Sequence, residues 1–212
     1  MEQIEIMPAR IRIASVLRKA ILAGEFKKDE ELSLTDLSRQ LGVSRTPIRE
    51  AFQTLENEGL IELRMNKGAI VKGINTKFIT DHFEVRMLLE REAVIRAIKN
   101  NMDVSSLTQL QDETAQKADS ITEEDFVPYN QMFHTMIWQA ADNQKLYNLL
   151  MNLWNGPSAG KAVVHEDHYK KSIDEHGKIL RFIASRDIDK AGKAMEKHIS
   201  RSMDNLLNSF KM

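Results

Sequence analysis

Strand-like patterning in this chain is confined to one short stretch, and helical patterning fills nearly all the rest. The stretch is GLIELRMNKGAIVK, residues 59–72. Ile61 and Leu63 alternate with polar residues, RMNKG supplies turn chemistry, and Ala69-Ile70-Val71 returns, which predicts a β-hairpin. Only four prolines interrupt the 212 residues, and 42% of the residues are hydrophobic. A chain of this size and composition can bury a real core, and that core must be built mostly from helices.

Three helices are expected before the hairpin, at about 9–23, 34–41 and 45–58. Gly24 and Gly59 stand where helices favour a glycine just past their ends. Three helices followed by a two-stranded hairpin is the order of a winged helix-turn-helix. Six helices are expected after it, at about 76–100, 104–118, 123–141, 143–155, 172–184 and 187–210. Thr122 with Asp125, and Ser172 with Glu175, read as helix-start pairs. The fold class is therefore mainly α. Residues 1–72 form a winged helix-turn-helix, 73–76 a linker, and 77–212 an all-α bundle of about six helices.

Cysteine is absent, which excludes disulfides and thiolate metal sites and favours an intracellular setting. The N-terminus lacks the basic and apolar regions of a signal peptide, and no apolar run is long enough to span a membrane. A cytoplasmic protein with no membrane partner is expected. Net charge is −1, made of +1 over residues 1–72 and −2 over the remainder. Contact with DNA must then rest on a local patch, which argues against a nonspecific architectural binder that needs many phosphate contacts.

That patch is LSRQLGVSRTPIREAFQTLENEGLI, residues 37–61. Gly42 permits the turn between the second and third helices. Ser44 is placed to cap the third helix, and Pro47 falls in its first turn, where a missing N–H costs little. Ile48, Phe52 and Leu55 would face inward. Arg45 and Arg49 then lie about 40° apart on an outer face, beside Thr46. This suits insertion into a major groove, where Arg reads guanine with two hydrogen bonds. Lys67-Gly68 at the hairpin tip can approach the DNA backbone or minor groove. The alternative is an amphipathic helix whose arginines are simply solvated.

The run Gly42-Val43-Ser44-Arg45-Thr46-Pro47-Ile48-Arg49-Glu50-Ala51 resembles the DNA-binding domain of the GntR family of bacterial transcription regulators, and the likeness extends over about residues 8–72. It implies operator contacts by Arg45, Thr46, Arg49 and the wing glycine, Gly68. Ser44 and Lys67 sit where phosphate or minor-groove contacts are expected. KKDEELS stands where relatives usually have Pro-Gly, so a looser loop without a reading role is expected there. One reading motif per chain covers one half-site, so a homodimer on an inverted-repeat, double-stranded operator follows.

In the second half, polar residues break apolar helix faces. Asn130 and His134 lie among Phe126, Phe133, Ile137 and Ala141. His176 lies among Ile179, Leu180 and Ile183, and His198 edges the face of Met195, Ile199 and Leu206. Each needs a partner if buried. Either these are core histidines bonded to backbone carbonyls, or they converge on a transition metal, with Zn first and Ni, Mn or Fe also admitted.

YNQMFHTMIWQAADN, DEHGKILRFIASRD and KAMEKHIS resemble the helical effector domain called FCD, found in the FadR-like branch of that family. The short chain is similar to its VanR-like subgroup. The resemblance implies a divalent metal held by Asn130, His134, His176 and His198, although Asp is commoner than Asn at the first position. It also implies a small carboxylate effector in the same cavity. Arg86 is either a second anchor for that effector or the intrahelical partner of Glu90. Trp138 and Trp154 either line the cavity or fill the core. His82, His165 and His168 match nothing in the pattern and are read as surface residues.

The resulting expectation is a ligand-responsive transcription regulator, and a repressor. The alternatives are a metal-dependent hydrolase, for which no general base stands beside the histidines, and an architectural DNA-binding protein.

Overall fold

The computed structural model describes residues 9–65, 67–154 and 166–209. They group into two compact units, one up to Phe78 and one from Ile79 onward.

The first unit contains α1 (Ala9–Leu22), β1 (Glu31–Leu32), α2 (Leu34–Leu41), α3 (Arg45–Asn57), β2 (Ile61–Arg64) and β3 (Gly68–Val71). Ile13, Leu17 and Ile21 of α1 meet Leu37 of α2, Ile48, Phe52 and Leu55 of α3, and Ile61 and Val71 of the sheet in one core. Ser33 caps α2 by accepting from the Asp36 N–H, and Gly42 ends that helix at φ +63°. Arg18 of α1 forks onto the Glu58 carboxylate just past α3, and Glu56 accepts from the Leu63 N–H of β2. The third helix is thereby fixed to both of its neighbours.

Two details differ from the sequence expectation, and a third explains a glycine. The sheet has three strands in the order β1-β3-β2, because Glu31 and Leu32 pair with Ile70 and Ala69. A two-residue strand is too short to show alternation, and it lies in the segment expected to be a loose loop. Ser44 does occupy the position before α3, but its hydroxyl makes no capping bond. The hydroxyl is left on the exposed surface. Gly68 is buried at φ +110°, and a Cβ there would stand 2.1 Å from the Leu32 carbonyl oxygen. Its glycine identity is explained by β1 lying across it.

The second unit contains α4 (Thr76–Lys99, from Ile79 on), α5 (Ser105–Ala115), α6 (Glu123–Ala140), α7 (Gln144–Trp154), α8 (Glu166–Ala184) and α9 (Ile188–Ser209). Thr122 caps α6 by accepting from the Asp125 N–H at 3.2 Å. The helix α8 begins at Glu166, not at Ser172. Ser172 is therefore inside it, buried, and its hydroxyl accepts from Arg201 of α9. The Ser-x-x-Glu spacing that reads as a capping box instead places two side chains on one helix face toward α9. No described helix is long and apolar enough to cross a membrane.

Candidate metal centre and DNA-reading helix

Three helices of the second unit each bring one histidine to a common point. His134 of α6, His176 of α8 and His198 of α9 are buried, and their ligand-capable nitrogens lie within 4.8 Å of one another. The apolar face of each helix drives the placement: the same stripe that buries Phe133, Ile179 and Ile199 carries the imidazoles inward. His176 is further held by Phe133, whose ring stacks on it at 3.7 Å and 7°.

The partners of the outward nitrogens decide which tautomer each ring adopts. His134 Nδ1 meets the Glu90 carboxylate at 3.1 Å. His198 Nδ1 meets Glu175 at 2.7 Å. His176 Nδ1 meets the Tyr129 hydroxyl at 3.0 Å. A carboxylate only accepts, so the first two rings carry their proton on Nδ1. Their Nε2 lone pairs then face inward. Among the described residues His134 Nε2 is buried with no hydrogen-bond partner, and His176 Nε2 stands 3.2 Å from His198 Nε2.

Both carboxylates are also matched by an arginine. The Glu90 carboxylate of α4 accepts from Arg86 Nη2 at 3.1 Å and from Trp138 Nε1 at 2.8 Å. Burial alone would raise the Glu90 pKa. His134, Arg86 and Trp138 outweigh it and hold the carboxyl well below the usual carboxylate range. Glu175 accepts from Arg201 Nε and Nη2, each at 2.7 Å. Burial lowers the pKa of all three histidines, to about 4 for His198 despite Glu175 beside it. The rings are neutral at neutral pH, the state a metal ligand requires.

The other expected residues fall as follows. Asn130 lies one turn before His134 on α6 and is half-buried. Arg86 is buried against Glu90, with its guanidinium 4.8 Å over the Trp154 ring. Trp138 is fully buried and donates to Glu90, so it fills the core and orders the site at once. Two of the three histidines read as surface residues are not. His82 is largely buried and bonds the Leu153 backbone; burial lowers its pKa to about 4, with Arg86 adding to the effect. His168 is half-buried, and its Nδ1 accepts from Arg201 at 2.9 Å and from Asn205 at 2.6 Å. Both sit at helix positions that a polar residue occupies by finding an interior partner. His165 lies outside the described residues. The sequence pattern alone does not mark Glu90, Glu175, Tyr129 and Gln111 as site residues. Only the Arg86–Glu90 spacing points to one of them.

In the first unit, Ser44, Arg45, Thr46 and Arg49 are exposed along the start of α3, while Ile48 and Phe52 anchor its other face in the core. Among the described residues, neither Arg45 nor Arg49 makes an ion pair or a side-chain hydrogen bond. Lys67 is exposed beside the tip of the β2–β3 hairpin.

Residues 10–71 match the model of bacterial regulatory proteins of the gntR family, and residues 81–201 match the FCD domain. The chain belongs to the GntR family. It is a transcription regulator with a DNA-binding winged helix-turn-helix and an FCD effector-binding domain. Among similar proteins, the HTH-type transcriptional regulator YdhC of Bacillus subtilis is 28% identical over 94% of this chain and 91% of its own. The HTH-type transcriptional repressor RspR of Escherichia coli is 28% identical over 91% of this chain and 86% of its own. The structure of E. coli McbR/YncC shares the fold, with a TM-score of 0.73 at 19% identity, covering 97% of this regulator and all of that chain. The two matched domains make the regulator a DNA-binding protein rather than an enzyme.

Proposed function

We propose that this GntR regulator is a repressor that binds an inverted-repeat operator as a homodimer and is controlled by a small carboxylate held at a metal in its FCD domain. The observation that carries the reading is the histidine cluster. His134 and His198 direct Nε2 lone pairs at one buried point, and His176 Nε2 joins them. With every Nε2 unprotonated these lone pairs repel, and a cation between them relieves it; without a cation, a proton on His176 Nε2 would bond His198 Nε2 at 3.2 Å instead. The residues fit a divalent transition metal, Zn first, with Asn130 as a fourth, oxygen ligand.

The charge pattern selects the effector class. The three imidazoles and the Asn130 amide are neutral. Glu90 and Glu175 each already face an arginine. A divalent ion held here would keep its full charge, and when bound it supplies an open Lewis-acid position for a carboxylate. Arg86, one residue removed from the cluster through Glu90, is the second anchor for that anion.

On the DNA side, Arg45, Thr46 and Arg49 read base edges while Ser44, Lys67 and the Gly68 backbone approach phosphates or the minor groove. A single reading helix per chain makes a symmetric dimer the arrangement that reaches useful specificity. That RspR is named a repressor supports repression. Effector binding then shifts a population between operator-competent and incompetent dimers. Its cytoplasmic placement follows from this role.

Two measurements test the reading together. Metal analysis of untagged protein should give about one ion per chain in the wild type and none in His176→Ala. Fluorescence anisotropy with promoter DNA should show specific binding abolished in Arg45→Ala and Arg49→Ala. Lys67→Ala should lower the salt slope by roughly one without changing specificity. Wild-type affinity in both arginine variants would remove α3 as the reading element.

A further inference from the structure

Among the described residues, His176 differs from the other two histidines in having no carboxylate behind it. Its Nδ1 partner is the Tyr129 hydroxyl, a group that can donate or accept. If Tyr129 donated to Nδ1, the ring proton would move to Nε2, where His198 Nε2 stands 3.2 Å away to accept it, and the lone pair facing the cluster would be lost. Something must therefore decide the direction of this one hydrogen bond.

The deciding group is on α5. The Tyr129 hydroxyl donates to Gln111 Oε1. Gln111 Nε2 donates to the Ile173 carbonyl at 2.9 Å. A backbone carbonyl can only accept, so the amide cannot turn over, and Oε1 must face the tyrosine. The hydroxyl hydrogen of Tyr129 is then committed to Gln111, and its oxygen is left to accept from His176 Nδ1. Gln111 and Tyr129 are both buried, which keeps water from replacing either bond.

Gly177 completes the arrangement. It sits inside α8, where a glycine is less favourable than an alanine. A Cβ there would stand 3.2 Å from Gln111 Nε2. The missing side chain lets Gln111 lie against α8 and reach Ile173.

We infer that Gln111, acting through Tyr129, is a tautomer-setting residue that holds the third histidine in its metal-accepting form. The relay runs from Ile173 through Gln111 and Tyr129 to His176, and its chemistry is a fixed direction of three successive hydrogen bonds. This inference rests on the metal reading for its purpose but not for its existence.

The test uses the full-length, chelator-treated protein labelled with 15N-histidine. Long-range 1H–15N correlation spectra report the tautomer of each ring without any metal. Wild-type His176 should be protonated on Nδ1. Gln111→Met, close in size and unable to accept strongly from Tyr129, should move His176 toward the Nε2-protonated form, while His134 and His198 stay unchanged. Zinc affinity, measured by chelator competition, should fall roughly 10–100-fold in the same variant. Gly177→Ala, which favours the helix, should shift both readouts in the same direction, and it serves if Gln111→Met fails to fold. Gln111→Met combined with Tyr129→Phe should bind zinc no worse than Tyr129→Phe alone. A wild-type His176 protonated on Nε2, or a tautomer unmoved by both the Gln111 and Gly177 substitutions, overturns the inference. Movement of the tautomer in a protein that binds no zinc overturns the metal reading and leaves the relay standing.

Discussion

Replacing Glu90 by glutamine should be among the most damaging single changes in the FCD domain. The carboxylate is fully buried. It accepts from Arg86 Nε at 3.2 Å and Nη2 at 3.1 Å, from His134 at 3.1 Å and from Trp138 at 2.8 Å. A glutamine amide offers one oxygen to these donors and turns its own N–H groups on the rest. Removing one member of a buried ion pair costs about 3–5 kcal/mol, because the other charge stays behind in a dry site. Arg86 is that other charge, 4% exposed. A loss of about 4 kcal/mol is expected, a large share of the roughly 5–15 kcal/mol that holds a domain folded. The double variant Arg86→Met/Glu90→Leu removes both charges. It should recover at least about 2 kcal/mol relative to Glu90→Leu alone. Urea unfolding followed by tryptophan fluorescence, with chelator present, measures this cleanly. Both tryptophans of the chain, Trp138 and Trp154, lie in the second unit, so the signal is blind to the DNA-binding unit. A Glu90→Gln variant within 1 kcal/mol of wild type, the scale of one ordinary hydrogen bond, would refute the buried-pair account. It would also free Arg86 to be counted as an effector anchor alone.

Three further outcomes are expected. Gly68→Ala places a Cβ 2.1 Å from the Leu32 carbonyl at φ +110° and should cost about 2–3 kcal/mol or more; circular dichroism should then show an early transition that tryptophan fluorescence does not follow, and coincident wild-type melts would contradict it. His82 has its pKa lowered from 6.5 to about 4 by burial and by Arg86. The unfolded chain therefore binds the extra proton first as pH falls. The stability tied to a neutral His82 is complete above pH 6.5 and is lost between 6.5 and 4. It amounts to about 1–2 kcal/mol once partial solvent access is allowed for. His82→Gln keeps a donor for the Leu153 backbone but cannot charge, so its melting temperature should fall less steeply over that window; an identical slope would rule out the contribution. Asn130→Asp adds an anionic oxygen one turn from His134 and should tighten zinc at least about tenfold; unchanged affinity would remove Asn130 from the ligand set.

The helices were legible because their signal is local. A stripe repeating every three to four residues needs no knowledge of what it packs against, and the bundle from α4 to α9 follows from it. The histidines were legible for the same reason, since a polar residue on an apolar stripe is an anomaly visible within one helix. What the sequence could not reveal was the partner of each anomaly. Glu90 lies 44 residues from His134, and Tyr129 lies 47 from His176. Ser172 and Glu175 show the difficulty most plainly. Their spacing satisfies a helix start and one helix face equally well, and only Arg201, 26 residues beyond Glu175 on another helix, decides between them. His82 and His168 read as surface residues because each has a charged or polar neighbour in sequence, while its real partner lies in a different helix. The two-residue β1 failed differently: pairing with β3 creates it, and Glu31-Leu32 alone carries no period to detect. A buried polar residue on an apolar stripe thus announces that a partner exists. The direction of its hydrogen bond, on which the metal-accepting form of His176 turns, is settled only where α5, α6 and α8 meet.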